Sequence, residues 1–401
     1  MTGGRLWAPL RSADYARLWL GQLISVIGDK IDQIALGILV YEVTGSELQM
    51  GISLAISMLP AAIFGMMAGA YVDRWDRRRT MIVADLARAV LVCMIPFAVG
   101  VGLWLVYLIA LAVATMSLFF EPAKLALIPD LVKSDELQAA NSLDNATVSV
   151  AELLGLAFAA GLVALLGYRV AFFLDGVTYL VSAVAIALIA HRSVAGSGAV
   201  PGLRAVAGEA IAGARYVVRH GVLRDLLVMY SAAAAGIAAS VTLVYVLALD
   251  RFKAGAPGLA TLDGAITVGL LVGTLAIGYS SPGGSGRKLL TGLLAFGLLF
   301  PVAALMPSLL LAVPFLILGG IANMFFYVPI ATLLQTSSEP EMRGRVFAAK
   351  QTTTRILSVF GFVGGGALAQ AVGFVPTVLA VSGLIVIAAA WGWTRPRLRA
   401  C

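Results

Sequence analysis

The chain has 401 residues, of which 60% are hydrophobic and only 12% charged. A soluble chain carries about 25% charged residues, so a water-soluble globular fold is excluded and this chain is built for lipid. The net charge of +7 does not mark a nucleic-acid surface, because the basic residues sit in short connections between apolar runs, where they set orientation.

Twelve apolar runs meet the length of about 20 residues that a span requires. They are 17–41, 48–72, 80–99, 103–124, 140–166, 169–191, 223–249, 259–280, 288–306, 309–333, 346–371 and 374–394. An all-α membrane protein with twelve transmembrane helices is therefore expected. Pro96, Pro301, Pro314 and Pro329 are expected to kink or end helices. The 43 glycines suit close approach of helix backbones. The first run is long enough to remain in the membrane, so no cleaved leader is expected. Cys93 and Cys401 suggest no disulfide framework.

The connections alternate in charge. Arg5, Arg11, Arg17, the Arg74–Arg79 cluster, Lys133, Arg192, Arg204, Arg215, Arg219 and Arg224 fall on one side. Arg287, Lys288, Arg343, Arg345, Arg395, Arg397 and Arg399 join them, leaving Arg169, Arg251 and Lys253 on the other. With an even number of spans, that bias places both termini in the cytoplasm.

The chain also repeats. "LFFEPAKLALIPDL" ends the fourth span and "MFFYVPIATLLQTS" the tenth, and Gly161 and Gly366 fall at matching depth, 205 residues apart. Two pseudo-symmetric six-helix bundles, 1–192 and 222–401, follow from that offset. The linker 193–221 between them carries a basic, helically spaced segment. It is read as an amphipathic helix on the cytoplasmic surface.

Between spans two and three stands "GAYVDRWDRRRT", in which Asp73 and its arginines can form an ion-pair network, or serve only to anchor the loop inside. Gly69, Asp73, Arg74, Arg77 and Arg78 resemble the loop 2–3 signature of the major facilitator superfamily, G-x-x-x-D-R-x-G-R-R, with Asp76 in place of its second glycine. "LWLGQLISVIGDKIDQIALGILVYEVTGS", "FFEPAKLALIPDLVKSDELQAANSL" and "QTSSEPEMRGRVFAAKQ" resemble its drug-, macrolide- and siderophore-exporting branch. The resemblance covers nearly the whole chain. It implies two halves rocking about a central site, export of an amphipathic or hydrophobic organic compound, and a cytoplasmic gate at Gly69, Asp73, Arg74, Arg77 and Arg78. One departure is the fifth span, "AELLGLAFAAGLVALLG", which lacks the Gly-Pro pair of many proton-coupled antiporters.

Charged residues inside spans are costly and mark function. Asp29, Asp32 and Gln33 at i, i+3 and i+4 share one face of the first span, and Lys30 points about 100° away. Glu152 lies near mid-depth of the fifth. The resemblance places both spans at the central cavity. Asp29, Asp32, Gln33, Lys30 and Glu152 are therefore the candidates for proton coupling or substrate contact, the alternative being a permanent ion pair with Lys30 or Arg88. Asp85 with Arg88, and Glu121 with Lys124, stand at i, i+3 and are read as structural pairs. Lys350 and Arg355 are read as structural, near the Asp73 network. The facing of Asp175 is left open.

Enzyme chemistry, a cofactor and a metal are not expected. His191 and His220 flank the linker, and there is no G-x-x-x-x-G-K-[ST] loop for ATP. The expectation is a secondary active exporter, monomeric, in the cytoplasmic membrane, with protons and a small organic substrate as partners. A lipid or lysolipid translocator and a transport-inactive receptor or scaffold are the alternatives.

Overall fold

The computed structural model of the chain describes residues 7–72, 75–191, 208, 213, 215–279, 284–339 and 342–400. In hydrocarbon a backbone must satisfy its own hydrogen bonds, and an unbroken apolar run does so as a helix. Among the described residues twelve long helices result and no strand. They are α1 (Ala13–Thr44), α2 (Glu47–Val72), α3 (Arg77–Ala98), α4 (Leu103–Leu131), α5 (Leu137–Leu166) and α6 (Tyr168–Ala187). Then come α7 (Gly221–Val246), α8 (Gly255–Tyr279), α9 (Ser285–Leu305), α10 (Leu309–Thr336), α11 (Arg343–Val372) and α12 (Phe374–Trp393).

Ten of these are long and apolar enough to cross a membrane. The others are α1, interrupted by Asp29, Lys30 and Asp32, and α5, several of whose side chains lie outside the described residues. The fold is an all-α membrane protein. Pro96, Pro301, Pro314 and Pro329 do not end their helices where they stand; each lies inside one. Neighbouring helices and local adjustment tolerate the lost hydrogen bond.

The repeat is visible in the turns. Gly167 (φ 78°, ψ 165°) alone separates α5 from α6, and Gly373 (φ 90°, ψ 166°) alone separates α11 from α12. That backbone region is essentially restricted to glycine. Helix pairing repeats as well: α3 packs on α4 and α6, and α9 packs on α10 and α12.

The chain forms two compact units, residues 1–39 with 59–203, and residues 40–58 with 204–401. The end of α1 and the start of α2 lie against α11. A side chain at Gly366 would run into the Glu47 backbone, and Ser46 Oγ donates to Gln370 Oε1 at 2.8 Å. Absence of a side chain at Gly366 is what lets the helices touch. Gly161, its counterpart by sequence offset, faces no atom of the described residues within 4 Å.

The core of the first unit gathers Tyr15, Leu18, Met81, Phe120, Leu127 and Ile186 from α1, α3, α4 and α6. Tyr15 is anchored there by donating to the Ala140 carbonyl at 2.9 Å. Of the linker's second part, Tyr216 accepts from the Glu339 amide at 3.2 Å, so this segment docks beside the start of α11.

Candidate functional site

A polar seam runs between α1 and α6. On α1, Gln22, Ser25, Asp29 and Asp32 recur at i, i+3, i+7 and i+10, one stripe of a helix. On α6, Asp175, Thr178, Tyr179 and Ser182 recur at i, i+3, i+4 and i+7. Gln22 Nε2 donates to Ser182 Oγ at 3.2 Å, and the Tyr179 hydroxyl donates to Asp29. Gly28 sits between them, where a side chain would collide with Thr178 and Asp175. The helices are close because that position is bare.

From α3 a buried ion pair enters the seam. Arg88, 4% exposed, pairs with Asp85, which is fully buried. The guanidinium lies between two rings, 4.3 Å from the Tyr179 centroid and 4.5 Å from that of Phe120 on α4. Its weak hydration and flat shape suit such stacking. Four carboxyls, Asp29, Asp32, Asp85 and Asp175, thus share a neighbourhood; Arg88 acts on Asp29, Asp85 and Asp175, and Lys124 also acts on Asp29. One oxygen each of Asp32, Asp85 and Asp175, and Arg88 Nε, are buried without a hydrogen-bond partner. In a dry site every such atom is costly.

The other sequence candidates fall as follows. Gln33 is exposed, and Lys30 Nζ reaches it at 3.4 Å, so the separation of Lys30 from Gln33 read from the sequence is corrected. The two stand at i, i+3 and the flexible lysine stem spans the angle between them. The stem also packs against Gly155 of α5. Glu152 is on α5, but its side chain lies outside the described residues. Lys124 meets Glu121 at 3.2 Å and also Asp144 of α5 at 3.4 Å; Lys124 is buried while Glu121 is exposed. That pair therefore extends into a bridge from α4 to α5.

Of the loop signature, Gly69 is in α2, and Asp73 and Arg74 lie outside the described residues. Asp76 caps α3 by accepting the Arg79 amide at 2.9 Å, as a short acid does at a helix start. Arg77 donates to Asp130 at 2.8 Å and to the Ala126 carbonyl at 2.9 Å. Arg78 donates to the Ile186 carbonyl at 3.1 Å and to that of Ala187, at the end of α6. Arg78 complements the last carbonyls and negative dipole end of α6. Nearby, Asp14 accepts from the amides of Ala190 and His191 and pairs with Arg17 at 2.7 Å. Burial works against its charge, but those amides and Arg17 outweigh it and hold the carboxyl below its usual range.

In the second unit Lys350 is buried, and its Nζ lies over the rings of Tyr230 and Tyr327. Asp73, whose network the sequence offered as a partner for Lys350, lies outside the described residues; the described groups over Nζ are aromatic.

Asp175, Thr178, Tyr179 and Ser182 were not among the sequence candidates. Their signal was present, since four polar residues at helical spacing in an apolar span form a stripe that lipid does not accept.

The family model for the Major Facilitator Superfamily matches residues 18–349. The multidrug efflux pump Tap of Mycolicibacterium fortuitum is 27% identical over 385 residues, 93% of each chain. Macrolide efflux protein A of Streptococcus pyogenes is 30% identical over 146 residues, 36% of each chain. Among solved structures, a bacterial homolog to the human lysosomal transporter Spinster is similar with a TM-score of 0.76 at 16% identity, over 98% of each chain. At that identity the likeness is one of fold.

Proposed function

Because the chain belongs to the major facilitator superfamily, we propose that this membrane transporter is a proton-coupled exporter of hydrophobic or amphipathic organic compounds. It works by alternating access, as a monomer in the cytoplasmic membrane with both termini inside. Similarity to a protein named as a multidrug efflux pump over 93% of both chains supports the direction and substrate class.

The observation that carries the coupling is the contact of Asp29 with Tyr179, whose ring lies under Arg88, itself paired with Asp85. Arg88 favours the charged carboxylate, and the dry surroundings favour the protonated acid. A change in either between the two access states transfers a proton. Asp29 is the proton carrier in this reading and Asp32, with an open oxygen, its partner; Asp175 lies in the same electrostatic neighbourhood. Lys30 and Glu152 are the residues this reading gives to substrate contact. Gly69, Asp73, Arg74, Arg77 and Arg78 form the cytoplasmic latch, anchored to α4 and α6 through Arg77 and Arg78.

Reconstitution into liposomes with an imposed pH gradient tests this. A fluorescent amphipathic dye should move against its own gradient with the wild type and lose that dependence in Asp29→Asn. A wild type that moves no amphipathic compound under the gradient removes the reading.

A further inference from the structure

The second unit contains a buried cation with which no acid pairs among the described residues. Lys350 of α11 is 5% exposed. Its Nζ stands 4.8 Å from the ring centroid of Tyr230 on α7 and 4.7 Å from that of Tyr327 on α10. Tyr230 stacks on Phe326 with centroids 5.7 Å apart, so the cage is backed by a second ring. Thr354, one turn along α11, donates to the Lys350 carbonyl at 2.7 Å and hydrogen-bonds Tyr230, which fixes the ring beside the ammonium. Among the described residues no carboxylate pairs with Nζ, nor does a hydrogen-bond acceptor meet it. Two acids of this unit are engaged elsewhere, Asp225 with Arg224 at 3.4 Å and Asp250 with Tyr41.

The first unit also holds a buried cation between rings, at a different place in the bundle, and there an acid accompanies it. Arg88 also lies over two rings, Tyr179 and Phe120, but Asp85 pairs with it there. Ring faces draw a cation by their quadrupole, yet they leave the three ammonium donors without acceptors. A membrane-embedded lysine with aromatic walls and, among the described residues, no paired acid is set up to receive an anion. Tyr327 is 44% exposed, so beside the ammonium there is a ring surface open to an apolar body.

We infer that Lys350, Tyr230 and Tyr327 form a recognition site for the acidic group of an amphipathic anion, with the exposed Tyr327 ring supporting its flat apolar part. This rests on the exporter reading and narrows its substrates to compounds carrying a carboxylate or a similar anion on an aromatic body.

The test is equilibrium binding of two probes to the purified chain in detergent, without a pH gradient: pyrenebutyrate and pyrenebutanol, which share the ring system and differ in the acid. A charge-assisted contact in a dry site supports about a tenfold to hundredfold preference for the acid. Lys350→Gln should abolish that preference while leaving pyrenebutanol binding unchanged, and Lys350→Arg should retain part of it. Equal binding of the two probes by the wild type overturns the inference, whether or not any variant folds. An undiminished preference in Lys350→Gln overturns it too. Because no gradient or transport is involved, Lys350-dependent binding without movement in liposomes leaves this site standing and removes the exporter reading.

Discussion

Arg88 lies over the ring of Tyr179, 4.3 Å from its centroid, while the hydroxyl of that ring donates to Asp29. One tyrosine therefore joins the guanidinium of α3 to a carboxyl of α1. The ring and the hydroxyl make separate contacts, so they can be removed separately.

Tyr179→Phe keeps the ring under Arg88 and deletes only the donor to Asp29. A hydrogen bond to a charged group contributes about 1.5–3 kcal/mol. Gradient-driven dye movement should fall by about tenfold or more, with thermal stability close to wild type. Unchanged movement would take the hydroxyl out of the coupling path.

Arg88→Gln leaves Asp85 buried without its cation. Removing one partner of a buried pair costs about 3–5 kcal/mol. The double change Arg88→Gln with Asp85→Asn removes both charges and should recover much of that loss. Thermal unfolding in detergent reads the difference; equal destabilisation of single and double variants would show that the pair matters for shape rather than charge.

Gly366→Ala puts a methyl into the backbone of Glu47, whereas Gly161→Ala meets no atom of the described residues within 4 Å. Overpacking costs about 1–3 kcal/mol. Gly366→Ala should lower the unfolding temperature and Gly161→Ala should leave it unchanged, although the sequence offset makes the two positions counterparts.

Asp14 ties the start of α1 to the end of α6 through the Ala190 and His191 amides. Its carboxyl is held below the usual range. The stabilisation is therefore present above the carboxylate range and is lost as pH falls through the lowered value. Asp14→Asn should unfold more readily than wild type at neutral pH, and the gap should close in acid. A gap that persists at low pH would show that the ionised form is not what holds the helices.

The long helices were legible because a bilayer admits few solutions: an apolar run of sufficient length must hydrogen-bond within itself. The acids of α1 were legible too, since Asp29 and Asp32 interrupt such a run. What they touch was not. Tyr179 and Ser182 are 150 or more positions from their partners on α1, and nothing local links them. Lys350 was read from its position along α11, which gives depth but not neighbours. Its rings come from α7 and α10.

By itself the sequence determined the class of fold, the number of long helices, the repeat and the presence of intramembrane acids, because composition and period act along the chain. The tertiary structure alone decided which acid meets which donor and that residues 40–58 belong with the second unit. The physical reason is that these outcomes depend on where bare positions such as Gly28 and Gly366 let two helices come together, and contact across helices has no signature within either one.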